Sequence, residues 1–210
     1  VTGTSTVTES VEPAGPRPQR SSRRGLIEWV VIIVVALLAA VLIKTFLVQA
    51  YYIPSGSMEP TIMIGDRVLV DKVSYDLHGV HRGDIIVFST PPDDTGVGGG
   101  VKDLIKRVIG LPGETLRSGP DSEIFIDGRL ISQPWLTPGA RSDPGPAICS
   151  VNNQTDCVGD TLHLPKGEYF VMGDNRGDSS DSRYFGPISG HLIVGRTFVR
   201  IWPLSRLHWF

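Results

Sequence analysis

Apolar residues follow two patterns along the chain. From Leu26 to Val48 they are almost unbroken, and Trp29 to Ile43 carries no charge. After that, apolar runs are short, many alternate with polar residues, and Gly, Pro or Asp punctuate them. The long run reads as a helix over 26–48. It would span roughly 35 Å at ~1.5 Å per residue, enough to cross a bilayer core. A buried core helix would keep a polar face, and this run is apolar all round. A cleaved signal peptide has a shorter apolar region. Val48-Gln49-Ala50 does resemble a small-x-small cleavage site, so self-cleavage there stays open. Glu28 and Lys44 lie near the ends of the run, where they can snorkel to the interface.

The segment before the run, 1–25, reads as a disordered basic tail. Thr, Ser, Glu, Pro and Gly dominate Val1 to Pro16, too few large apolar groups to offset ordering entropy. Arg17, Arg20, Arg23 and Arg24 then precede the helix. By the positive-inside rule the N-terminus is cytoplasmic and everything after Gln49 lies outside. A first residue of Val rather than Met points to further residues upstream.

Past the helix the periods are those of strands. In "DRVLVDKVSYD" Val68 and Val70 share a face. "RGDIIVFST" is a turn and a buried strand, and "DLIKRVIGLPGETL" is an apolar run stopped by Leu-Pro-Gly. "EIFIDGRLI" carries a hairpin signal at Asp127-Gly128. "GEYFVMGDN" and "IVGRTFVRIWP" read as buried strands. The 24 Gly and 16 Pro favour such a turn-rich β protein over a helical bundle. The expected fold is therefore mainly β: one N-terminal transmembrane helix, then a β-rich core domain over 49–118 and 161–210. Pro, Gly, Ser and Asp crowd 119–160, which reads as a smaller inserted subdomain. "PPDDTGVGGG" reads as a long loop.

A net charge of −2 gives no sign of nucleic acid. The five His and two Cys show no metal-ligand spacing. Cys149 and Cys157 enclose a short polar loop, and an outside location permits a disulfide between them. Two free thiols are the alternative. Asn153-Gln154-Thr155 matches a glycosylation sequon, a motif short enough to occur by chance.

Three stretches can carry chemistry. "YYIPSGSMEPTI" holds Ser55 and Ser57 between apolar flanks. "LIKRVIGLPGE" places Lys106 on the same strand face as Leu104 and Val108. A lysine there either packs its stem and reaches water, or is desolvated, loses its proton easily and can serve as a general base. "GDNRGDSSDSRYFGPI" packs Asp174, Arg176, Asp178, Ser179, Ser180, Asp181 and Arg183 between two apolar strands, either as a solvated loop or as the lining of a site. The histidines sit in turns, in a polar strand or at the chain end, poor places for the base of a serine nucleophile. No GxSxG elbow and no Ser-x-x-Lys appears. What remains is a Ser-Lys pair drawn from separate segments.

Taken together, "PSGSMEPT", "RGDIIVF", "KRVIGLPGE", "GDNRGDSSDSRYFG" and "RIWP", in that order, resemble bacterial type I signal peptidases, membrane-anchored serine proteases. The long polar N-terminal tail is similar to actinobacterial versions. The resemblance implies Ser57 as nucleophile and Lys106 as general base, where endoplasmic-reticulum relatives carry His. It implies an oxyanion hole made by the Ser55 hydroxyl and the Ser57 backbone N–H. Ser179 would orient the lysine amine, and Asp181 and Arg183 would form a supporting ion pair. Ile53, Met58, Ile62 and Ile105 would wall shallow substrate pockets. The substrates would be secreted preproteins with small residues before the scissile bond, cleaved at the bilayer without metal or cofactor. Ser-Lys proteases of the self-cleaving repressor type are soluble and carry a DNA-binding head, and the anchor and outside-facing domain expected here argue against that reading. A non-enzymatic anchored β domain would need none of Ser57, Lys106 and Ser179.

Overall fold

The computed structural model describes residues 22–42, 47–91, 102–150 and 156–210. The basic tail before Ser22, Lys44, most of the Gly-rich loop and the sequon fall outside the described residues. The chain divides into two compact units, Val1–Val41 and Leu42–Phe210.

The first unit is described through helix α1, Ser22–Leu42. Leu26, Trp29, Ile32, Val35, Leu37 and Val41 are all more than half exposed, so apolar side chains surround the helix on every side. Its described side chains run from 25 to 41. Among the described residues no helix is long and apolar enough to cross a membrane. The expected helix over 26–48 is also too long at its C-terminal end, because Val48 opens a strand that pairs with Asp71. An apolar run alone does not separate helix from strand. Here Val48, Tyr51 and Tyr52 suit a pleated edge, and a partner strand is available.

The second unit is built from two antiparallel sheets. The larger contains β1 (Val48–Tyr52), β2 (Arg67–Asp71), β3 (Ile85–Ser89) and β4 (Asp103–Gly110), with the short helix α2 (Ser74–Leu77) between β2 and β3. The smaller contains β5 (Thr115–Ser118), β6 (Ile124–Ile126), β7 (Arg129–Leu130), β8 (Cys157–Val158) and β9 (Thr161–His163), with α3 (Pro138–Ser142) after β7. The chain then returns to the larger sheet as β10 (Glu168–Met172), α4 (Ser182–Phe185), β11 (Ile188–Ser189), β12 (Ile193–Trp202) and β13 (His208–Trp209). Strand order is β1-β2-β12-β3-β4-β10-β11, with β13 on β12, and β7-β6-β5-β9-β8. The smaller sheet thus begins at Thr115 and ends at His163, so it takes in strands on both flanks of the 119–160 stretch.

Alternation drives the pairing. In β2, Val68 and Val70 are fully buried between more exposed neighbours. The Asp127-Gly128 turn has positive φ at both residues, 49° and 75°, the type I′ geometry that matches strand twist. The smaller sheet closes on Ile109, Leu116, Ile124, Leu162 and Phe170. Cys149 and Cys157 are joined as a disulfide and pack against that core.

Candidate active site

Three segments converge. The first is the loop between β1 and β2, which carries Ser55 and Ser57. Its base is closed by Ile53 N–H to the Asp66 carbonyl and Gly65 N–H to the Ile53 carbonyl, at 3.0 and 2.9 Å. Met58 and Ile62, both without exposed surface, anchor it from within. They sit in one core cluster with Ile53, Val68, Val70, Ile85, Val87 and Ile105.

The second segment is β4. Lys106 lies opposite Ile86, and the alternation puts it on the side of Leu104, Phe88 and Val108. β3 pairs along β4 from Asp103 to Arg107, whereas β10 pairs only with Arg107, Val108 and Gly110. From Asp103 to Lys106 the second edge of β4 therefore has no partner among the described strands.

The third segment follows β10. Gly173 carries the chain past the serine loop so closely that a Cβ there would stand 2.4 Å from the Ser57 carbonyl and 2.2 Å from Ser179 Oγ. Asn175 then laces the two loops together. Its N–H donates to the Ser57 carbonyl and its side-chain amide to the Gly56 carbonyl, both at 3.1 Å. Beside it, Asp174 accepts from Thr61 Oγ1 at 2.6 Å and takes a two-pronged pair from Arg107, Nε at 2.8 Å and Nη2 at 2.6 Å.

At the centre, Lys106 Nζ lies 2.6 Å from Ser57 Oγ. Lys106 is 4% exposed and Ser57 8%. Burial pulls the lysine down to about 8, with the Arg183 charge acting the same way and Asp181, Asp174 and Asp178 opposing it. The charged amine donates to Oγ. The neutral amine, accessible near neutral pH at that pKa, accepts from the hydroxyl instead. That second state is what a serine nucleophile needs.

Asp181 and Arg183 form the expected pair. Arg183 Nε meets Oδ1 at 2.8 Å and Nη2 meets Oδ2 at 2.8 Å, with both residues buried. Asp181 also accepts from Gly173 N–H at 2.9 Å, which ties the ion pair to the close-approach glycine. Removing one member of such a buried pair leaves an uncompensated charge and costs about 3–5 kcal/mol. Arg176 is buried alongside and donates to the Gly173 carbonyl and to Gln133 Oε1 of the inserted region. Desolvation lowers its pKa to about 10.

The remaining expected residues fall as follows. Ser55 is exposed beside Ser57. Ser179 is buried next to Gly173, but its Oγ makes no hydrogen bond, to Lys106 or to any other described group. Ile53 and Ile105 are 2% and 8% exposed, and Met58 and Ile62 have no surface to offer a ligand in this conformation. All four support the serine loop from below. Gly173, Asn175 and the Arg107–Asp174–Thr61 link were not singled out from the sequence. Their signals there are partial: Gly173, Asp174 and Asn175 open the polar stretch, Arg107 follows Lys106, and Thr61 lies in the serine stretch.

The family profile described as "Signal peptidase, peptidase S26" matches residues 26–202. The chain is 36% identical over 174 residues to a probable signal peptidase I-2 of Synechocystis sp., covering 83% of this chain and 72% of that relative. It is 33% identical over 186 residues to signal peptidase IB of Staphylococcus aureus, covering 87% and 93% respectively. A solved signal peptidase I from Enterococcus faecalis aligns at 30% identity with a TM-score of 0.45, over 57% of this chain and 97% of that one.

Proposed function

We propose, since the chain belongs to the signal peptidase family, peptidase S26, that it removes N-terminal signal peptides from exported preproteins. The single observation that carries the mechanism is the buried contact of 2.6 Å between Lys106 Nζ and Ser57 Oγ. Lys106, neutral, takes the Ser57 proton as Oγ attacks the scissile carbonyl carbon. The oxyanion is held by the Ser55 hydroxyl and the Ser57 backbone N–H; one such donor is typically worth about 10²–10³ in rate. Lys106 passes its proton to the departing amine, which leaves an acyl-enzyme ester on Ser57. Water, deprotonated by Lys106, attacks the ester, releases the signal peptide as a carboxylate and restores the serine. Ser179, whose Oγ would have to turn to reach the amine, orients it during turnover, and the Asp181–Arg183 pair holds the loop that presents it.

The substrate reaches the dyad as an extended strand. β1 is an edge of the larger sheet, and β4 keeps one side open from Asp103 to Lys106, which supports backbone pairing near Ile53 and Ile105. Shallow apolar pockets from Ile53, Met58, Ile62 and Ile105 would admit small residues such as Ala before the scissile bond. Met58 and Ile62 would have to become uncovered for direct contact.

We further infer a single-pass anchor in the cell membrane, with the N-terminus cytoplasmic and the β unit outside. The support is the apolar girdle of α1, the uncharged sequence continuing to Ile43 and the arginines before it. The β unit also exposes Trp202, Leu204, Leu207 and Trp209, side chains that suit a bilayer interface.

The test is cleavage of a purified preprotein by the unsubstituted protein and by Ser57→Ala. Release of the signal peptide by the first alone is expected. Equal release by both removes Ser57 from the chemistry.

A further inference from the structure

The serine loop is also held at Thr61 by β12. Arg200, on β12, is 8% exposed. Its Nη1 donates to the Thr61 carbonyl at 2.7 Å and lies 3.4 Å from Asp66 Oδ2, and its Nε donates to the Arg206 carbonyl at 2.6 Å. Asp66, 1% exposed, also accepts from Met63 N–H at 2.8 Å and from Arg206 Nη1 at 3.0 Å. Thr61 is therefore pinned twice, four residues after Ser57. Its carbonyl is bound by Arg200, and its hydroxyl by Asp174, whose other partner is the neighbour of Lys106 in sequence.

None of the Arg200 acceptors lies in a strand. β12 is paired with β2 from Arg196 to Trp202 and with β3 from Ile193 to Arg196, and at Arg200 itself it pairs with Val68 of β2 and His208 of β13, so its place does not depend on the bond to Thr61. An arginine fork buried against a loop carbonyl fixes geometry more than it stabilises, since desolvating the guanidinium offsets much of the gain.

We propose that Arg200 is a positioning residue for the peptidase reaction: by fastening Thr61 to β12, it sets the Ser57 loop at its distance from Lys106 and keeps water from the lysine amine. This rests on the Ser57–Lys106 reading above. The groups that act on the amine are Ser57 from the serine loop and Asp174, Asp178, Asp181 and Arg183 from the segment after β10. If the serine loop lifts, the charges after β10 stay while desolvation falls, so the lysine titrates higher.

The test uses the full chain in detergent or lipid, with Arg200→Met and Arg200→Lys. kcat, KM and the pH midpoint are measured beside a circular-dichroism melt. For folded Arg200→Met, kcat is expected to fall on the order of 10- to 100-fold, with KM little changed and the midpoint above about 8. Arg200→Lys should recover part of kcat. A kcat and midpoint per folded molecule equal to those of the unsubstituted protein overturn the proposal. Should Arg200→Met not fold, Arg206→Met removes one tie to Asp66 from a partly exposed side chain. A smaller shift in the same direction supports the proposal, and no shift overturns it. The Lys106 amine is also titrated by NMR in Ser57→Ala with and without Arg200→Met. Identical titrations overturn the role of Arg200, whereas cleavage by Ser57→Ala overturns the dyad reading instead.

Discussion

Lys106 Nζ and Ser57 Oγ lie 2.6 Å apart although 49 positions separate them along the chain. The contact joins a strand, paired to β3 from Asp103 to Arg107, to a loop closed at its base and laced to a second loop by Asn175. Groups held in place in this way need little reorganisation before proton transfer.

The first consequence concerns pH. Lys106 is the base only when neutral, and burial lowers its pKa from 10.5 to about 8. Below that value each unit of acid leaves about a tenth as much neutral amine, so kcat/KM should fall about tenfold per unit, and it should level off above about 8. A pH–rate profile of preprotein cleavage checks this. A profile flat from pH 6 to 9 would rule out a titrating lysine base.

A second prediction separates charge from basicity. Lys106→Arg keeps a long cationic side chain, but guanidinium stays protonated and cannot take the serine proton. The variant should be folded, as judged by its melting curve, and inactive. Measurable cleavage would remove Lys106 as base.

Part of this arrangement is legible in the sequence. A lysine between Leu104 and Val108 conflicts with its apolar face, and that local conflict marks it. The Asp127-Gly128 hairpin is read from two residues. The links that hold the site are not legible, because each joins distant segments: Asn175 to Gly56 across 119 positions, Thr61 to Asp174 across 113, Arg107 to Asp174 across 67. No local periodicity encodes such pairs. The start of β1 was hidden for another reason: Val48 continues an apolar run, and only the partner strand decides its conformation. For the pocket residues Ile53, Met58, Ile62 and Ile105 the sequence does not separate two roles, since apolar flanks look alike whether they line a cleft or fill the core beneath it. The two-residue strands β7, β8, β11 and β13 are too short to show any period.

Gly173 offers a third test. A Cβ there would sit 2.4 Å from the Ser57 carbonyl and 2.6 Å from the Ser179 Cβ, and neither the backbone oxygen nor a Cβ can swing aside. Gly173→Ala must push the serine loop away from the segment after β10. A misplacement of about 1 Å can cost on the order of 10²-fold in rate. The expected variant is folded, with kcat reduced by about that factor. Unchanged kcat would show that the serine loop moves without consequence.

The fourth prediction uses the unpartnered hydroxyl. Ser179 Oγ is buried beside Gly173 and the Ser57 carbonyl with no hydrogen bond. A structural serine that loses a hydrogen bond on replacement by Ala costs about 1 kcal/mol, but Ser179 has none to lose. Ser179→Ala should therefore keep or slightly raise the melting temperature. If the hydroxyl turns to the lysine amine during turnover, the same variant should lose activity, on the order of 10- to 100-fold in kcat, because the amine loses its orientation toward Ser57. The two measurements answer different questions. Lower stability with intact kcat would assign Ser179 to packing. Intact stability with lower kcat would assign it to the lysine.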